Sequence, residues 1–79
     1  MPELARFDGI VILMHFADHA PPHFHVQHGG KDASVTLTPL EILAGALPLS
    51  VWRRVREWAD GREAELLKTW DSLGGGGPR

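Results

Sequence analysis

Apolar and polar positions divide this chain into two halves with different periods. The run Ile10-Val11-Ile12-Leu13-Met14-His15-Phe16 is apolar and rich in β-branched residues. Bounded by Gly9 and by a proline-containing turn at 18–22, it predicts a central strand buried on both faces. Residues 23–28 alternate, with His23, His25 and Gln27 on one face and Phe24, Val26 and His28 on the other. Gly29-Gly30 suits a tight hairpin turn. Beyond it, Ala33-Ser34-Val35-Thr36-Leu37 alternates again, with Ala33, Val35 and Leu37 toward the core. Residues 38–45 fit two conformations. Thr38 as N-cap, Pro39 in the first turn, Glu41 three residues after the cap and Gly45 as terminator suit a helical turn. A proline turn leading into a short edge strand fits equally well.

The second half has the helical period. Trp52, Val55, Ala59, Leu66, Trp70 and Leu73 fall on one stripe, flanked by Leu49 and Leu67, while Arg53, Arg54, Glu57, Glu65 and Lys68 lie mostly outside it. An unbroken helix over 49–73 would span about 37 Å, longer than the ~30 Å of a compact domain this size. Asp60 and Glu63 resemble a capping box, so the helix is expected to bend or break near Gly61. The stripe predicts Trp52 and Trp70 in the core and leaves Trp58 exposed, as an interface marker. The fold class expected is therefore α+β: an antiparallel sheet of three to four strands, covered on one face by the C-terminal helical segment. Phe24, Val26, Val35 and Leu37 would face the helix, and His23 and His25 the open side. Residues 1–73 read as one domain, and the Gly-rich stretch 74–79 as a disordered tail.

Composition narrows the chemistry. With 79 residues the core is small, and the 43% apolar share is that of a globular protein. The absence of cysteine excludes disulfides, thiolate metal sites and cysteine nucleophiles. No apolar run approaches the roughly 20 residues of a membrane span, and residues 1–4 do not open a signal-peptide pattern, so a cytoplasmic location with no membrane partner is expected. A net charge of −2 speaks against non-specific binding to nucleic acid.

Against this background, five histidines fall within residues 15–28: His15, His19, His23, His25 and His28. Imidazole carries protons and binds metals near neutral pH, so this segment is where chemistry would occur. The motifs Arg6-Phe7-x-Gly9-Ile10, Asp18-His19-x-Pro21-Pro22-His23-Phe24-His25-Val26, Gly45-x-Leu47-Pro48, Glu57-Trp58-Ala59 and Glu65-Leu66-Leu67-x-x-Trp70 resemble the small-protein family catalogued as domain of unknown function 4160. The resemblance runs from Arg6 to Trp70. It implies an uncharacterised bacterial or mobile-element protein, often encoded beside a second small protein in an arrangement like a toxin–antitoxin pair. It also implies that residues 40–45 close a β-hairpin, and it sets His15 and His28 aside as site residues.

Three functions remain open. In the first, His23 and His25 project to one side of a strand and, with Asp18 or His19 from the turn, bind zinc or another divalent transition metal. In the second, His25 and His23 (or His19) act as the acid–base pair of a ribonuclease, with phosphate held by Arg6, Lys31 or the group Arg53, Arg54 and Arg56. The neighbouring-gene arrangement favours this reading and the acidic charge opposes it. In the third, the turn is a structural corner, and the sheet edge or Trp58 engages a partner protein, either the neighbouring-gene product or a second copy in a homodimer.

Overall fold

A computed structural model describes residues 3–76. Five strands, β1 (Glu3–Phe7), β2 (Ile10–Leu13), β3 (His23–His28), β4 (Lys31–Leu37) and β5 (Leu40–Gly45), are followed by helices α1 (Leu49–Ala59) and α2 (Glu63–Ser72). The strands form one antiparallel meander in the order β1-β2-β3-β4-β5. The sheet thus exceeds the expected three to four strands. The additional strand is β1, which reaches β2 through an Asp8-Gly9 turn with both residues at positive φ, the geometry of a two-residue hairpin connection. The expected run over 10–16 is also shorter than its apolar pattern, because pairing ends at Leu13. Val11 is half-buried while Leu13, on the same face, is buried, so the second face of β2 is covered only in part. Residues 40–45 form the edge strand β5, not a helical turn; Thr36 Oγ1 donates to the Pro39 and Glu41 carbonyls and braces the turn into it.

Alternation decides which side chains meet the helices. Ile10, Ile12, Phe24, Val26, Val35 and Leu37 form a single core with Val51, Val55, Ala59, Leu66 and Trp70. Burial of these groups, at roughly 25 cal/mol per Å2 of apolar surface, is the principal force holding the helical layer to the sheet. The helical stripe is close to the expected one, with three differences. Trp52, expected in the core, is half-buried and packs against it. Val51 is buried, whereas Leu49 is 62% exposed. Trp58, expected to be exposed, is half-buried: its ring lies 5.9 Å from that of Phe24 and 6.4 Å from that of Phe7, beneath the Arg62 guanidinium. The helices break at residues 60–62 as anticipated, but no capping box forms. Arg62 occupies the cap position, and Glu63 instead accepts a hydrogen bond from Thr38 Oγ1 at 2.8 Å. No helix among the described residues is long and apolar enough to cross a membrane.

The end of α2 folds back on the loop between β2 and β3. The Ala17 N–H donates to the Leu73 carbonyl at 2.8 Å, and the Gly76 N–H to the Asp18 carbonyl at 3.1 Å. Gly75 is buried, and a β carbon there would overlap the Trp70 indole. The stretch expected to be disordered from residue 74 is therefore tied down through Gly76, and residues 77–79 lie outside the described part.

Candidate metal centre

The β2–β3 loop and the start of β3 bring together Asp18, His23 and His25, each offering one ligand atom, with all three atoms within 4.8 Å of one another. Asp18 Oδ2 lies 3.0 Å from His23 Nε2 and 3.2 Å from His25 Nε2. Two atoms each about 2.0–2.1 Å from a tetrahedral ion stand about 3.3 Å apart, so both spacings suit a shared ion.

The other polar atoms of the three groups also have partners. His23 Nδ1–H donates to the Pro21 carbonyl at 2.7 Å. A carbonyl can only accept, so this bond requires the proton on Nδ1 and leaves Nε2, the nitrogen facing Asp18, as lone pair or second N–H. His25 Nδ1 faces the Ser34 hydroxyl across a long 3.4 Å contact; that hydroxyl can donate or accept as the tautomer changes. Asp18 Oδ1 accepts the His19 backbone N–H at 2.9 Å. Outer partners of this kind orient the ligands of metal sites.

Burial differs along the cluster. The His23 side chain is 5% exposed, Asp18 15% and His25 25%. His23 was expected on the open face with His25, and strand alternation does direct it there. It is covered because it opens β3, against Trp70 at 5.1 Å between ring centroids. The side chain of His19 is 90% exposed; it meets Asp18 Oδ1 at 3.2 Å and stands outside the three-residue set. His15 packs its ring edge-on against His25, centroids 4.0 Å apart. The 11, 13, 15 alternation was the sequence signal for that position. His28 is remote from the cluster, beside Gly9.

The phosphate-binding candidates do not gather around the histidines. Arg6 pairs with Glu3 at 2.7 Å and Arg54 with Asp8 at 2.7 Å. Arg53 and Arg56 are exposed on α1, on the far side of the sheet from His25, and Lys31 is exposed at the start of β4. The acid–base pair His23 and His25 is in contact, with ring centroids 5.0 Å apart, but among the described residues no arginine or lysine lies within hydrogen-bonding or ion-pairing distance of either ring.

Electrostatics favours the metal-ready forms. Burial, the largest influence on His25, lowers its pKa; the Asp18 hydrogen bond opposes this, and the neighbouring His15 and His23 rings add to it. Desolvation pushes the Asp18 carboxyl up, but the hydrogen bonds from His25 and the His19 N–H, with the adjacent His23 and His19 rings, outweigh it and hold the group below the ordinary carboxylate value. Both shifts act on stability in the same direction. Folded His25 takes a proton less readily than unfolded His25, so its contribution is complete above about pH 6.5 and declines as pH falls toward its lower folded value. Asp18 stabilises the fold above its unfolded value, about 3.9, and loses that contribution as pH falls through the lower folded one. Melting temperatures of the metal-free protein should therefore fall between pH 7.5 and 5, and His25→Gln should flatten that limb. An unchanged limb in the variant would show that His25 is not the group responsible.

Fold and site together define a small antiparallel α+β protein carrying a two-histidine, one-carboxylate cluster at one end of its sheet. The family model described as "Domain of unknown function (DUF4160)" matches residues 9–71, and the chain belongs to that family. The match includes Asp18, His23 and His25. No curated protein and no solved structure matches.

Proposed function

We propose that this protein binds one divalent transition-metal ion through Asp18 Oδ2, His23 Nε2 and His25 Nε2. The observation that carries this reading is the convergence of those three atoms, each on a group whose other polar atom is held by an outer partner. Zinc and iron(II) suit an imidazole–carboxylate set. When bound, such an ion acts as a Lewis acid and lowers the pKa of coordinated water. Binding displaces the proton that otherwise lies between His25 Nε2 and the Asp18 carboxylate.

Within the family arrangement that the sequence resembles, we place the protein as a cytoplasmic component of a toxin–antitoxin-type pair. The exposed His19 and Phe16, at 63% exposure, provide the contact surface for the neighbouring-gene protein. RNA is the less favoured partner, because Arg53, Arg54 and Arg56 lie on the helical layer, away from the cluster.

The test is titration of the tag-free, metal-stripped chain with zinc and cobalt(II), read by calorimetry and by cobalt absorption. One ion per chain is expected. Asp18→Asn, His23→Gln and His25→Gln should each cost more than the roughly 10–100-fold that loss of an outer-shell partner costs. Ser34→Ala should fall within that range, and His19→Gln should bind like the parent chain. A folded chain that takes up neither ion would refute the reading.

A further inference from the structure

Asp18 is placed by a segment that follows α2. The β2–β3 loop occupies residues 14–22. Among the described residues two backbone hydrogen bonds join it to that segment: Ala17 N–H donates to the Leu73 carbonyl at 2.8 Å, and Gly76 N–H to the Asp18 carbonyl at 3.1 Å. Ala17 has φ +50°, a left-handed backbone that a residue with a β carbon does not take without support. Its bond to Leu73 supplies that support one residue before the ligand. The segment also meets the other side of the set. Gly75 is buried against the Trp70 indole, which lies against His23 with ring centroids 5.1 Å apart.

Little holds the segment itself. Residues 74–76 are glycines, which have no side chains to bury and lose more conformational freedom on ordering than any other residue. Against that cost stand the two bonds to the loop, the bonds from Gly74 and Gly75 N–H back to the Asp71 and Trp70 carbonyls, and the contact with the indole. Each backbone bond replaces one to water and contributes only modestly. Such a segment belongs to the least stable part of a fold, which opens locally without global unfolding. Its docked and released forms are close in free energy, the condition under which a ligand that favours one form changes their ratio.

We infer that Leu73 to Gly76 form a strap that fastens when the ion binds and releases when it leaves. This inference rests on the metal reading. The ion is met by Asp18 Oδ2 between two imidazoles carried on β3, and Asp18 keeps that position while Gly76 holds its carbonyl. An ion that binds the fastened form alone stabilises that form by mass action. Fastening in turn raises affinity for the ion by the same factor. Occupancy of the site is thereby conveyed to the end of the helical layer, where release of the strap removes the Gly75 cover from Trp70.

Amide hydrogen exchange of the tag-free full chain, followed by NMR with and without zinc, tests it once zinc content has been measured. Zinc should slow exchange of the Gly76 amide by about tenfold or more. The Arg62 amide, bonded to the Ala59 carbonyl at the break between the helices, should exchange as before. Gly75→Ala supplies the reciprocal measurement. A β carbon there overlaps the Trp70 indole and lifts the strap, so zinc affinity should fall by a similar factor. A zinc-loaded chain whose Gly76 amide exchanges at the metal-free rate overturns the strap inference alone, as does a folded Gly75→Ala chain that binds zinc like the parent. If that variant does not fold, exchange in the parent chain decides. A chain that takes up no zinc overturns both readings.

Discussion

Alanine in place of Gly45 is expected to lower the melting temperature by more than about 10 °C. Gly45 has φ +81° and closes β5 opposite Ala33. An L-residue in the left-handed region costs roughly 1–2 kcal/mol. A β carbon at this position would also overlap the Asp32 carbonyl oxygen and stand 2.9 Å from Ala33 Cα. Both are backbone atoms of the paired strand and cannot rotate aside, so the end of β5 must separate from β4. For a chain this size each kcal/mol is worth about 4–8 °C, so strain and lost pairing together exceed the threshold. Gly61→Ala is the control, because Gly61 shares the positive φ, at +78°, but a β carbon there meets nothing within 4 Å. Equal losses in the two variants, measured by circular dichroism melts, would show that the close approach of β4 contributes nothing.

Trp70→Ala should have a comparable or larger effect, and one that reaches the site. Trp70 is 2% exposed in the core, its ring lies against His23, and Gly75 packs on its indole. Removing a buried aromatic of this kind costs about 3–5 kcal/mol. That is a large part of the roughly 4–12 kcal/mol available to a chain this long, so a fall of about 15 °C or more is expected. The same substitution uncovers His23 and loosens the Gly74–Gly76 turn whose last N–H holds the Asp18 carbonyl. Trp70→Phe, which keeps an aromatic ring in the core, should retain most of the stability yet weaken metal uptake. Calorimetry of that variant separates the two roles: unchanged affinity would mean that Trp70 supports the fold without positioning the ligands.

How far the molecule could be read in advance varied from element to element. The Gly29-Gly30 turn determines the register of β3 on β4, because a two-residue hairpin places His25 opposite Ser34 and Gln27 opposite Asp32. The outer partner of His25 was therefore implicit in the chain. β1 carried its signal in Asp8-Gly9, but its own pattern is weak. It lies at the edge of the sheet, its register shifts between Glu3 and Ala5, and none of its residues is fully buried. Residues 38–45 have the local chemistry of a helix start as much as of a strand, and pairing with β4 resolves them. Asp60 and Glu63 had the spacing of a capping box, but Thr38, 25 residues from Glu63 in sequence, supplies the partner Glu63 takes.

The sequence by itself determined what depends on period and local turn chemistry: the α+β class, the β3–β4 hairpin, the Phe24, Val26, Val35 and Leu37 face, the break near Gly61, and the segment in which the histidines fall. Tertiary structure decided which of those histidines form a set. Alternation sends His23 and His25 to the same side, but only contacts from α2 bury one and leave the other partly exposed. Asp18 reaches both because its loop is fastened at Ala17 to Leu73 and at its own carbonyl to Gly76. Those bonds join residues more than fifty positions apart, a separation that no short-range pattern encodes, and they form only once the helical layer has closed over the sheet.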